Sequence, residues 1–199
     1  MKYDVIIIGA GAAGFGCALT LGSANDNFEW AKDRKYLILD NDRSDMKVAR
    51  YNNVTGVEQG INGIDLLTKL KDQLKKYPAC ELKHETVTKI VRHGDEFMVE
   101  AKTGNYQASI IVLATGLNKF DIECAGVVVK ENTFVPKPNL IYLENTNNVI
   151  SENLYVAGLA SGVPTMFSCA SGDGAKVACD IFYKWAGKVA VVHDTKKTA

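Results

Sequence analysis

The chain has no charge imbalance, few histidines, no cysteine pair at Cys-x-x-Cys spacing and no apolar run long enough for a bilayer. Each deficit removes a class of function. Its 23 basic and 23 acidic residues leave a formal net charge of zero, so the basic surface demanded by nucleic acid or an anionic membrane is missing. The apolar run Val5 to Ile8 is far shorter than the ~20 residues of a membrane span. Asp4 stands where a secretory leader would be basic, with no cleavage site beyond it. A cytoplasmic protein is expected. The three histidines, His84, His93 and His193, are scattered among charged and turn residues, so no metal site is readable from them. The five cysteines, Cys17, Cys80, Cys124, Cys169 and Cys179, are odd in number and fit reduced intracellular thiols better than a disulfide framework.

What is present is 199 residues with 47% apolar content, enough for one generous domain or two small ones with a real core. Near the start, Asp4-Val5-Ile6-Ile7-Ile8 runs into Gly9-Ala10-Gly11-Ala12-Ala13-Gly14, a buried strand followed by Gly-x-Gly-x-x-Gly. Gly9 permits the tight exit from the strand, Gly11 leaves the backbone open to a diphosphate, and Gly14 lets the next helix pack close to the sheet. That helix presents its N-terminal amides and positive dipole end to the anion. An acidic residue closing the next strand completes such a fingerprint, and Tyr36-Leu37-Ile38-Leu39-Asp40 supplies it. Its spacing is longer than usual, which the polar stretch Gly22 to Lys35 accounts for as an enlarged helix-to-strand connection.

Further along, Asn41, Asp42, Arg43 and Asp45 form a polar segment, and Tyr51 to Gly56 reads as irregular loop. Ile64, Leu66, Leu67, Leu70 and Leu74 recur at helical spacing, with Pro78 just beyond. Cys80 to Val91 reads as strands, and with Phe97 to Ala101 and Tyr106 to Ala114 it gives three antiparallel strands in succession. The last of these leads into Ala114-Thr115-Gly116. A short strand is expected at Gly126 to Lys130, an irregular stretch at Pro136 and Pro138, and a strand from Asn153 to Gly158. A final helix is expected from Gly172 to Gly187, then a strand fragment and frayed tail from Val189 to Ala199.

This order of elements resembles the FAD domain of the thioredoxin reductase-like pyridine nucleotide-disulfide oxidoreductases, over nearly the whole chain. Four motifs carry the likeness: Gly9 to Gly14; Asn53-Val54-Thr55-Gly56 with Gly60 and Gly63; Ala114-Thr115-Gly116; and Tyr155 to Gly158 with Gly172 and Gly174. The resemblance implies an α/β, Rossmann-like three-layer FAD-binding fold, with a parallel central sheet and an antiparallel three-stranded β-meander, as one domain over 1–199. It also implies site roles. Gly9, Gly11, Ala12, Ala13 and Gly14 hold the diphosphate, Asp40 the ribose, and Val87, through its backbone, the adenine, with Asn41 a further cofactor-binding residue. Ala114, Thr115 and Gly116 pass the diphosphate and ribityl region, Gly158 and Leu159 flank the ribityl chain, and the backbone of Met166 and Phe167 meets the flavin. The meander and the closing strand-helix pair favour FAD over a bare NAD fold.

The sequence departs from that family in three places. Leu159 stands where the family has an aspartate that hydrogen-bonds the ribityl chain. Only Leu117 to Ala125 lies where the family inserts its NADPH domain, and the redox Cys-x-x-Cys of that domain has no counterpart. Dithiol exchange needs a thiolate and a resolving thiol at close spacing, so a self-contained thioredoxin reductase is excluded. The expectation is a FAD-dependent oxidoreductase using an external electron donor or acceptor, small molecule or protein, with a second subunit covering the flavin in a homo-oligomer such as a dimer. The alternatives are a flavin-binding or electron-relay module without a substrate site, and an NAD-binding domain without flavin.

Other residues admit two readings each. Cys169 is either a thiol facing the isoalloxazine or a packing residue, whereas Cys17 and Cys179 pack on helix faces and Cys124 is exposed. Phe167, Tyr155 and Trp185 either stack on a flavin or fill a core or interface. Asp173 is expected to cap the last helix. The lysines at 69, 71, 75 and 76 form a solvated helix face.

Overall fold

A computed structural model describes residues 2–192 of the chain. The strands are β1 (Lys2–Ile8), β2 (Tyr36–Asp40), β3 (Arg50–Tyr51), β4 (Ile61–Asn62), β5 (Cys80–His84), β6 (Val87–His93), β7 (Glu96–Ala101), β8 (Asn105–Leu113), β9 (Glu123–Cys124), β10 (Val129–Glu131), β11 (Ile141–Leu143), β12 (Val149–Ser151) and β13 (Leu154–Val156). Three α-helices accompany them: α1 (Ala12–Asn25), α2 (Gly63–Leu74) and α3 (Phe167–Ala186).

The main sheet runs in the order β5-β2-β1-β8-β7-β6-β9. Its first part is parallel and its second part is the antiparallel meander β6-β7-β8. Strand β8 belongs to both parts. It pairs with β1 from Gln107 to Leu113, with β7 from Asn105 to Ala108, and with β13 from Ile111 to Leu113, so the sheet forks along its length.

Alternation along the strands builds two cores. Val5, Ile7, Tyr36, Ile38, Ile110 and Val112 face the helices, meeting Phe15, Cys17 and Leu21 of α1 and Val177, Ile181 and Phe182 of α3. Ile6, Ile8, Leu37, Leu39, Ile111 and Leu113 face the other way, onto Val87, Ile90, Phe97, Val99 and Leu143. These strands are apolar on both faces because both are covered. The expected three-layer fold with a parallel sheet and a meander is therefore present.

Several local expectations are corrected. Tyr51 is not in a loop: with Arg50 it pairs antiparallel to Ile61 and Asn62, forming a small ribbon. Ile64 fits the helical spacing of α2 but is 58% exposed in its first turn. The short strand after Gly126 begins only at Val129, since Val127 closes a turn onto Cys124 and Gly126 has a left-handed φ of 85°. Helix α3 begins at Phe167, well before Gly172. Residues 189–192 form no strand, and residues 193–199, which include His193, lie outside the described residues. The connection after α1 is indeed enlarged. It is anchored by Phe28 stacked on Trp30, and Trp30 packs on Phe182 and Trp185.

Candidate functional site

The carboxyl ends of β1, β2, β8 and β13 lie at one edge of the parallel sheet, the edge where ligands of open α/β sheets bind. The turns leaving these strands line a cleft of about 670 Å³. Gly9, Gly11, Ala12, Ala13, Asp40, Asn41, Val87, Ala114, Thr115, Gly116, Leu159, Met166 and Phe167 all line it.

Gly14 and Gly158 do not line the cleft; they shape it from behind. A Cβ at Gly14 would lie 1.9 Å from the Gly9 carbonyl oxygen, and one at Gly158 would lie 2.6 Å from the Ala13 Cβ. Gly9 is fixed twice over, by a φ of 107° and by the Ala114 carbonyl oxygen 2.4 Å from its missing Cβ. Gly11 differs. A Cβ there would meet only Ser44 Oγ, at 3.5 Å, so no protein atom requires glycine at this position. The space in front of it belongs to whatever occupies the cleft.

The helix ends make the same distinction. Helix α2, none of whose residues lines the cleft, is capped by Asn62, whose side chain accepts from the Asp65 amide at 2.9 Å. Helices α1 and α3 open into the cleft at Gly11 and Met166, with neither a side-chain cap nor an acidic residue in the first turn. Their free amides point a positive dipole end at the cavity. In addition, Thr115 Oγ1 is buried without a hydrogen-bond partner. A buried hydroxyl without a partner is costly, and the cleft is where one could come from.

Asp40 ends β2 as expected. Its carboxylate accepts from the Ala10 amide at 3.1 Å and the Asp42 amide at 3.2 Å, which fixes its orientation beside the glycine turn. On the cleft wall beside Val87, buried Glu85 accepts from the Thr86 amide at 2.8 Å and the Thr103 amide at 3.2 Å. The hydrogen bond from the Thr103 hydroxyl holds its carboxyl below the ordinary range.

The sequence reading missed part of the lining. Ser44, Tyr51, Asn118 and Lys137 line the cleft, and Asn118 Nδ2 donates to Asp45 Oδ2 at 2.5 Å across its rim. Tyr51 meets Phe167 edge-on, their ring centroids 5.5 Å apart. Only the two-residue ribbon brings Tyr51 there, and no periodic pattern announces so short an element. Conversely, Asn53 to Gly56 stays off the cleft, and Gly63 serves packing: a Cβ there would lie 1.5 Å from the Met46 carbonyl oxygen.

Among the aromatics, Tyr155 is buried in the core, and Trp185 packs against Tyr36 with Arg34 stacked 3.8 Å from its ring, away from the cleft. Cys169 lies in the first turn of α3, half-buried. Cys124 is half-buried in β9 beside Ile90, not exposed, and burial pushes its thiol up to about 11.

The fold and the cleft together define a Rossmann-type nucleotide-binding domain. The sequence profile of the pyridine nucleotide-disulphide oxidoreductases matches residues 3–158, and the chain belongs to that family. A thioredoxin reductase of Treponema pallidum is 30% identical over 118 residues, 57% of this chain and 35% of that protein. The chain thus spans about a third of that relative's length. Among solved structures, a thioredoxin reductase from Gloeobacter violaceus superposes with a TM-score of 0.74 at 15% identity, covering 98% of each chain. A ferredoxin-flavin thioredoxin reductase from Clostridium acetobutylicum does so with a TM-score of 0.65 at 17% identity, covering 94% of this chain and 99% of that one. These two likenesses concern the fold. Among the described residues no helix is long and apolar enough to cross a membrane.

Proposed function

We propose that the chain is a single FAD-binding redox domain over 1–199, an oxidoreductase whose electrons come from a donor outside itself. One observation carries the reading. Two uncapped helix N-termini, a glycine that no protein atom requires and a buried hydroxyl without a partner face the same cleft. The residues present fit an extended dinucleotide. Amides at Gly11, Ala12 and Ala13 hold the diphosphate, with Gly9 and Gly14 shaping the turn around them. Asp40, already oriented by the Ala10 amide, accepts from the adenosine ribose with Asn41 beside it, and the Val87 backbone meets the adenine. Ala114, Thr115 and Gly116 flank the diphosphate and ribityl region, and Thr115 Oγ1 gains its partner there. Gly158 and Leu159 flank the ribityl chain, and the backbone of Met166 and Phe167 meets the ring system.

Bound FAD supplies the electron-transfer chemistry; the chain supplies orientation and electrostatics. No Cys-x-x-Cys is available to relay electrons onward by dithiol exchange. The donor or acceptor is therefore a nicotinamide nucleotide binding transiently, another small molecule or a protein, and a second copy of the chain covers the open side of the cleft.

Leu159 favours a second reading, a flavin-binding relay module without a substrate site, because it leaves the ribityl chain one charged acceptor short. Steady-state oxidation of NADH and NADPH by the FAD-loaded protein, with oxygen or a quinone as acceptor, separates the two. Turnover is expected for the oxidoreductase. Flavin that stays oxidised under excess NADH and NADPH supports the relay module.

A further inference from the structure

Asp173 was expected at the start of the last helix, yet it stands in the second turn of α3. Its carboxylate points at a different element. Oδ2 accepts from the Gly158 amide at 2.7 Å and lies 2.8 Å from Ser161 Oγ, and Asn148 Nδ2 donates to the carboxylate at 2.8 Å. Gly158 to Ser161 form a 3-10 turn whose N-cap, Ala157, has no side chain able to accept an amide. The orphan amide of that turn is thus satisfied from the neighbouring helix.

The far side of the turn is held as well. Asn145 Nδ2 donates to the Ser161 carbonyl at 3.2 Å, and Asn132 Nδ2 reaches the Leu159 carbonyl at 3.4 Å. Asn132 and Asn148 are buried, and every one of these bonds engages the turn from behind the cleft. Of the turn, only Leu159 lines the cleft.

We infer that Asp173 is a positioning residue of the cofactor cleft, holding from behind the wall the turn that carries Leu159; this rests on the FAD reading. By clamping Gly158 and Ser161, it fixes where Leu159 stands and hence where the ribityl and ring half of the ligand lies. Asn at this position keeps a single acceptor oxygen for the Gly158 amide and Ser161 and turns a donor towards Asn148 Nδ2, itself a donor, so the clamp loses its charge and is set against Asn148 while the shape is retained.

The test titrates FAD and, separately, ADP into the parent protein, Asp173→Asn and Ser161→Ala, and records the visible circular dichroism of bound flavin. ADP fills only the adenosine and diphosphate half. Asp173→Asn is expected to weaken FAD binding at least tenfold and to change the flavin dichroism, with ADP affinity within twofold of the parent. Ser161→Ala, which removes one donor, shows the same selectivity at a few-fold, and it carries the comparison if Asp173→Asn does not fold. FAD affinity and dichroism unchanged in the variants overturn the inference, as does an equal loss of FAD and ADP. Should the parent bind ADP but not FAD, the proposed function fails, and hydrogen exchange of the Gly158 amide in the ligand-free protein decides the role of Asp173. Exchange at least tenfold faster in Asp173→Asn supports the clamp, and an unchanged rate overturns it.

Discussion

At the residue scale, the glycines of one motif separate into those the fold needs and one that no protein atom requires. Gly14 has the Gly9 carbonyl oxygen 1.9 Å from where a Cβ would go; Gly11 has nothing closer than 3.5 Å. Gly14→Ala is therefore expected to destabilise the protein by ~1 to 3 kcal/mol, the usual cost of overpacking. Gly11→Ala leaves thermal unfolding of the ligand-free protein unchanged but weakens FAD binding tenfold or more. Paired thermal melts and FAD titrations check both. The motif itself was legible in the sequence because a strand, three glycines and Asp40 carry a local pattern. What separates Gly11 from Gly14 was not, because it depends on which backbone atoms approach from elsewhere. Ser44 and Asn118 were invisible for the same reason: their place at the cleft comes from tertiary packing and no local signal marks it.

At the element scale, the strands of the parallel sheet and the meander were readable from apolar runs and turn residues, and α2 from its spacing. The start of α3 was misplaced because Gly172 and Gly174 look like a turn. They lie inside the helix, and a Cβ at Gly174 would lie 2.0 Å from the Ala13 carbonyl oxygen. On α1, Gly16 makes the reciprocal approach: a Cβ there would lie 2.2 Å from the Ser171 carbonyl oxygen. Glycine at a helix crossing and glycine at a helix end look alike in one dimension.

The same packing buries thiols. Cys17 on α1 is buried, and burial raises its thiol strongly; burial likewise pushes Cys80 on β5 up to about 12 and Cys124 up to about 11. These groups stay protonated in the fold at a pH where the unfolded chain ionises them. Stability is thus expected to be intact below pH 9 and to fall as the pH rises from there towards 12, because the unfolded state loses protons first. Alkylation by iodoacetamide at pH 8 is expected to leave Cys17, Cys80 and Cys124 unmodified until denaturant is added, as mass spectrometry of the labelled peptides would show. Prompt labelling of all three in the native protein contradicts this account of their burial.

At the scale of the whole molecule, the family's fold is present with the path from Gly116 to Gly126 reduced to a short segment bearing the two-residue strand β9. That segment, Leu117 to Ile122, lines the rim of the cleft. The cleft is therefore bounded in part by the chain's own turns, and the proposed electron supply from outside the domain goes with this short path and the missing Cys-x-x-Cys. The most direct measurement is a calorimetric and spectral titration of the folded, ligand-free protein with FAD, followed by mass analysis of the nucleotide released. One FAD per chain, a yellow protein and a measurable heat of association are expected. Folded protein that stays colourless and takes up no heat in excess FAD contradicts the proposed function.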